Sequence, residues 1–262
     1  MKTKILLLFI FYLNISFAQE LKTELVSKTT LEADSFIGVD ELENIYFIKN
    51  NVLYKKNSVE VLNYSNVNLG MITSVNIQNP FKIILFYRDF NSVIILDNKL
   101  NELTNKIDFT KETLFNNALF VGVSSENNLW LYADDNKLHL YNYQHLTEQV
   151  QTQAITFYQN DFVPISIIST YKYVWLFSKS GIIQFNEYGN FIQNLNVENI
   201  SDLYPFRKGF IYLKDNALFF WENKRSVPIS LNYNQTIKNL NINNYSVNIF
   251  DGKYLYQYRL IY

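Results

Sequence analysis

The 262-residue chain carries 23 Lys and Arg against 24 Asp and Glu, a formal charge of −1, so it offers no overall basic field for nucleic acid. It contains no cysteine, which excludes disulfides and thiolate metal sites. Hydrophobic residues make up 48% of it, enough for a core at this length without covalent staples.

Residues 1–18 have the pattern of a secretory signal peptide. Lys2 and Lys4 precede an apolar run from Ile5 to Ile15, and Ser16-Phe17-Ala18 places small residues at −3 and −1 before Gln19. The run is shorter than a membrane span, and no later stretch is long and apolar enough to be one. No cysteine follows it, which excludes a lipoprotein attachment. Cleavage leaves residues 19–262, with 21 basic against 24 acidic side chains. No Pro/Ser/Gly-rich linker or charge block interrupts this remainder, so one domain is expected. An exported, cysteine-free chain suits a bacterial envelope.

After the leader, Leu21 to Lys28 is strand-like and has no obvious partner nearby. A unit follows that occurs six times. Ile45 to Ile48, a polar turn at Lys49 to Asn51, and Val52 to Lys55 predict two short strands in a hairpin. The same pattern begins again at Ile83, Leu129, Val174, Phe210 and Val247, in steps of 38, 46, 45, 36 and 37 residues. A period of roughly 40–45 residues with four strands per unit is the signature of a propeller. The hairpin strands are apolar at nearly every position, as expected for sheets covered on both faces. Their turns use Asn-Asn, Asp-Asn and Asp-Gly; with only 7 Gly, asparagine is expected to take several left-handed positions.

A third strand precedes each hairpin, at Phe36 to Val39, Ile72 to Val75, Leu119 to Val123, Ile165 to Ile168, Ser201 to Tyr204 and Leu240 to Ile242. These are the expected inner strands. Outer strands are expected at Val59 to Leu62, Leu103 to Phe109, Gln149 to Ile155, Phe191 to Leu195 and Val227 to Leu231. The sixth unit lacks an outer strand. The predicted fold is therefore an all-β, six-bladed β-propeller in which the strand from Leu21 to Lys28 closes the last blade beside Tyr256. An open ring would leave a bare sheet edge.

Chemistry is sparse. His139 falls in a hairpin strand and is expected to face outward or to an edge; His145 is expected in an exposed turn. Asp134-Asp135-Asn136 has the form of a hairpin turn rather than a calcium loop. Asp34, Asp40, Glu41 and Glu43 are expected in solvated loops around the first inner strand. No nucleophile elbow, phosphate loop or zinc motif appears. The inner strands carry Ile, Val, Ser, Asn and Leu, which predicts a narrow, packed axis. Catalytic residues, metal ligands and cofactors are not expected.

The chain has 21 Phe, 20 Tyr and 3 Trp. Blade packing accounts for most of them. Exposed ones favour protein recognition, and the candidates are Phe81 after Pro80, Phe90, Tyr204-Pro205-Phe206, Tyr258 and Tyr262. Pro80 and Phe81 with Arg88, Asp89 and Phe90 are the expected partner-binding patch. The three Trp lie mid-strand, which favours burial.

Residues 79–91, from Asn79 through Arg88-Asp89-Phe90-Asn91, continue through Val93 to Glu102 in a pattern that resembles a family of exported propeller-like proteins of the Bacteroidetes. Asn128 to Tyr132 is similar as well. The resemblance implies a periplasmic or outer-membrane-associated accessory protein linked to the type IX secretion machinery. It transfers no catalytic residue. The last blade runs to the final residue, so the sorting domain of type IX cargo is not expected. The expected function is a non-enzymatic scaffold for an envelope or outer-membrane protein partner, without nucleic-acid binding or a membrane span. The alternative is a propeller that binds carbohydrate or another small ligand.

Overall fold

The computed structural model describes residues 21–110, 115–234, 236–243 and 246–261. The signal-peptide assignment and Tyr262 lie outside these residues. Among the described residues, strands form six four-stranded antiparallel sheets. In blades 1 to 5 the chain runs outward from the axis, strand by strand. Blade 1 is Ser35–Val39, Ile45–Lys49, Val52–Lys56 and Val61–Tyr64. Blade 2 is Ser74–Asn76, Ile83–Tyr87, Ser92–Leu96 and Ile107–Asp108. Blade 3 is Ala118–Val123, Asn128–Ala133, Leu138–Asn142 and Thr147–Gln151. Blade 4 is Ser166–Ser169, Tyr173–Ser178, Gly181–Asn186 and Phe191–Leu195. Blade 5 is Ile200–Phe206, Gly209–Lys214, Ala217–Glu222 and Arg225–Pro228. Blade 6 takes Asn239–Ile242, Ser246–Phe250 and Tyr254–Ile261 from the end of the chain, and Lys22–Thr30 from its beginning.

The ring closes as the sequence predicts. Lys28 pairs with Tyr256, and the ladder runs from Lys22 opposite Ile261 to Thr30 opposite Tyr254. The Lys28 ammonium sits 4.2 Å from the centre of the Tyr254 ring. Buried Leu21 and the amide of Thr23 are tied to Ser230 at the exit of blade 5.

Period-two alternation explains the packing. Every residue of Ile83–Tyr87 is buried. Ile83, Leu85 and Tyr87 pack toward Tyr46 and Leu53 of blade 1, whereas Ile84 and Phe86 pack toward Leu129 and Leu131 of blade 3. The arrangement repeats around the ring. Trp130 and Leu140 meet Leu176 and Phe185; Trp175 and Phe177 meet Phe210 and Tyr212. Ile211 and Phe220 meet Val247 and Tyr258, and Phe250 and Leu255 return to Phe36 and Phe47 of blade 1. The outer strands lie at the rim, and Thr147–Gln151 alternates between exposed and half-buried.

Turn chemistry matches the loops. Asn50-Asn51, Asp215-Asn216 and Asn223-Lys224 have positive φ at both central positions, the requirement of a two-residue hairpin turn. Asp40 to Asn44, Asp97 to Asn101 and Asn186 to Asn190 form a recurring longer turn. In each, the first side chain accepts the backbone N–H of the last residue, and the fourth residue (Glu43, Leu100 or Gly189) has positive φ.

Four expectations are corrected. The outer strand of blade 3 is Thr147–Gln151, and Ile155–Tyr158 is a short helix with Ile155 buried in the interface between blades 3 and 4. The outer strand of blade 2 shrinks to Ile107–Asp108. Asp40 is buried rather than solvated, because it organises its turn by accepting from the Leu42 and Asn44 amides and the Tyr46 hydroxyl. His139 faces neither outward nor an edge. It is fully buried, since its strand is covered on both faces, and its ring nitrogens meet Glu148 at 2.7 Å and Asp135 at 3.0 Å. His145 lies in an exposed turn, as expected.

Candidate functional site

The inner strands approach closely where side chains are small. A Cβ on Gly38 would lie 2.7 Å from Asn241 Nδ2, and one on Gly122 would lie 2.5 Å from Ser169 Oγ. Asn241 Oδ1 accepts from the Val39 amide and Asn239 Oδ1 from the Phe36 amide, which stitches blade 6 to blade 1 at the hub.

The axis is not packed throughout, as the inner-strand composition predicts it to be. It holds a recess at each end. One, of about 450 Å³, is ringed by Ile37, Ile77, Ile167, Ile242 and Asn241 among others. The other, of about 340 Å³, includes Ser35, Ser74, Asn239 and Asp202. Desolvation raises the Asp202 carboxyl to about 6, against the opposing hydrogen bonds from the Tyr204 hydroxyl and the Leu203 amide. His139 is remote from the axis, on the third strand of blade 3.

The larger axial recess continues outward. Thr170, Pro205 and Arg207 line both it and a groove of about 540 Å³ over the junction of blades 4 and 5. Three turns build the groove. Thr170 Oγ1 accepts the amides of Lys172 and Tyr173, which turns Tyr171 and Lys172 to solvent. Arg207 has φ 53° in the tight turn between Phe206 and Gly209, and that turn exposes Arg207 and Lys208. Gly209 is required where it stands, because a Cβ there would lie 1.8 Å from the Trp221 carbonyl oxygen. The turn at Asn223-Lys224 exposes Lys224.

The walls are aromatic. Tyr171 is 48% and Tyr173 39% exposed, and the Tyr173 and Trp175 rings are 5.6 Å apart. Phe210 and half-buried Trp221 stack at 6.2 Å. Gln193 Nε2 donates to the side-chain Oε1 of Gln184 at 2.7 Å. The buried Trp175 Nε1–H has no acceptor. Four cationic residues line the groove, Lys172, Arg207, Lys208 and Lys224, against one carboxylate, Glu222. Among the described residues, the ammoniums of Lys172, Lys208 and Lys224 make no ion pair.

The expected patch on blade 2 is divided. Pro80 and Phe81 precede strand Ile83–Tyr87, and Arg88, Asp89 and Phe90 follow it in a single 3-10 turn. They therefore lie at opposite faces of the disc. Phe81 is 60% exposed, held out by an Asn79 side chain that accepts its amide. Phe90 is 46% exposed. The Arg88 guanidinium lies 5.2 Å from the centre of the Phe120 ring. Neighbouring Asn91 binds the backbone of Asn116 and Ala118, so this turn also clamps blade 2 to blade 3. Of the other aromatic candidates, Phe206 and Tyr258 are buried and Tyr204 is half-buried. Among the described residues, no helix is long and apolar enough to cross a membrane.

No family model and no curated protein matches the chain. Solved structures do. Virginiamycin B lyase from Staphylococcus aureus superposes with a TM-score of 0.61 at 10% identity, covering 92% of this chain and 100% of that one. BBS1N, in a complex with ARL6DN, gives 0.57 at 12% identity, covering 83% and 75%. BamB from Moraxella catarrhalis gives 0.47 at 10% identity, covering 82% and 69%. At such identities the likeness is one of fold. The chain is a six-bladed β-propeller.

Proposed function

We propose that this protein is a non-enzymatic scaffold of the bacterial envelope that holds a protein partner, on the periplasmic side or at the outer membrane. The observation that carries this reading is the pairing of a closed, rigid disc with exposed aromatic side chains at its loops: Phe81 and Tyr171 on one face, Phe90 on the other. Such side chains supply anchoring area to protein interfaces. The one buried histidine is held between two carboxylates inside blade 3, away from both axial recesses. The leader at residues 1–18 supports export. The resemblance of residues 79–102 and 128–132 supports an association with the type IX secretion machinery.

Affinity purification of the tagged chain from envelope extracts, with mass spectrometry, tests the reading. An envelope protein is recovered in near-stoichiometric amount, and Phe81→Ala or Phe90→Ala reduces its recovery. No enrichment over a mock purification sinks it. The alternative, a glycan-binding propeller, draws on the aromatic walls around Tyr171, Tyr173 and Trp221. Titration with a glycan panel, followed by tryptophan fluorescence, separates the two.

A further inference from the structure

We propose that the groove between blades 4 and 5 binds an extended, acidic peptide segment of a partner protein. This deepens the scaffold reading and rests on it. The first support is charge. The whole chain is slightly acidic, yet this one groove gathers four cationic residues against a single carboxylate. Lys172, Lys208 and Lys224 have no ion-pair partner among the described residues, and each sits in a turn that holds it outward. A segment carrying Asp and Glu is complementary to that field.

The second support is shape. The groove opens into the axial recess at Thr170, Pro205 and Arg207 and runs outward past Ile192 on the outermost strand of blade 4. That suits a chain lying along it more than a compact ligand. A sugar ring stacks best on an open indole face. Here Trp175 is buried and Trp221 is engaged with Phe210, so the exposed rings are tyrosines.

The test uses the full exported chain. A fluorescein-labelled dodecapeptide of alternating Glu/Asp with Tyr and Leu is titrated by anisotropy beside its Gln/Asn counterpart and a polygalacturonate oligomer. The acidic peptide binds at least about tenfold tighter than the neutral one, and added salt weakens it. Lys208→Gln with Lys224→Gln weakens binding about tenfold, as the loss of two exposed charge pairs implies. Equal affinity for the neutral peptide, tighter binding of polygalacturonate, or indifference to the lysine substitutions overturns the proposal. The envelope purification is run in parallel. If the peptide fails while a partner is still recovered, the groove assignment falls and the scaffold reading stands; if neither binds, both fall.

Discussion

The hydroxyl of Tyr204 lies 2.5 Å from Asp202 Oδ2 and also reaches the Leu240 carbonyl of blade 6. One hydroxyl hydrogen serves only one of these acceptors. A protonated Asp202 resolves the conflict, because the acid donates to Tyr204 and Tyr204 donates to Leu240. Burial already favours that form, raising the carboxyl from 3.8 to about 6. The unfolded chain therefore ionises first. The stabilisation is fully present below about pH 4 and is lost as pH rises through about 6. It amounts to about 3 kcal/mol. Asp108, held down to about 2 by the Thr110 hydroxyl, acts in a lower window. Asp202→Asn mimics the protonated acid. Urea denaturation between pH 4 and 7 will show wild type losing stability where the variant does not; parallel curves would dismiss the relay.

His139 is predicted to matter for stability. His139→Phe keeps the contact with Phe115, whose ring centre is 4.7 Å away, but leaves Asp135 and Glu148 facing an apolar ring. A loss of about 2–3 kcal/mol is expected in chemical denaturation. Combining it with Glu148→Leu should recover part of that loss, giving a coupling above about 1 kcal/mol in a double-mutant cycle. Simple additivity would mean that the two side chains act independently.

The hub offers a compensation test. Gly122→Ala places a methyl 2.5 Å from Ser169 Oγ and should cost about 1–3 kcal/mol. Ser169 Oγ is buried without a partner, so Ser169→Ala alone should be neutral or slightly stabilising. In the double variant most of the cost disappears. Thermal melts of the three proteins decide the matter, and an unrelieved double variant refutes the close contact.

Removing residues 19–30 should strip the outer strand from blade 6 and bare the edge of Tyr254–Ile261. The expected product melts at a lower temperature and self-associates on size exclusion, because an unpaired edge recruits other chains. A truncated monomer with unchanged melting would show that the latch is dispensable.

The hairpins were legible because their strands are covered on both faces and so are written as apolar runs. Their expected starts at 45, 83, 129, 174, 210 and 247 fall within one residue of Ile45, Ile83, Asn128, Tyr173, Gly209 and Ser246. The rim strands were less legible, since Thr147–Gln151 is polar and half-exposed while the more apolar Ile155–Tyr158 belongs to a helix. His139 was misplaced by assuming an outward face in a strand where Leu138, Leu140 and Tyr141 are buried as well. The usable signal was Asp135 four residues before it and Glu148 on the adjoining strand. The groove was invisible because Lys172, Arg207-Lys208 and Lys224 belong to separate turns, each ordinary alone, and only the abutment of two blades collects them.

Ser27 and Gln257 share a hydrogen bond although 230 positions separate them. A newly made copy therefore cannot finish its circle while either end is held back. Nearly all of the chain must be available before the last sheet can seal, and until then the strand at 254–261 lacks its neighbour. Closure of the ring is thus timed by the arrival of residues 254–261.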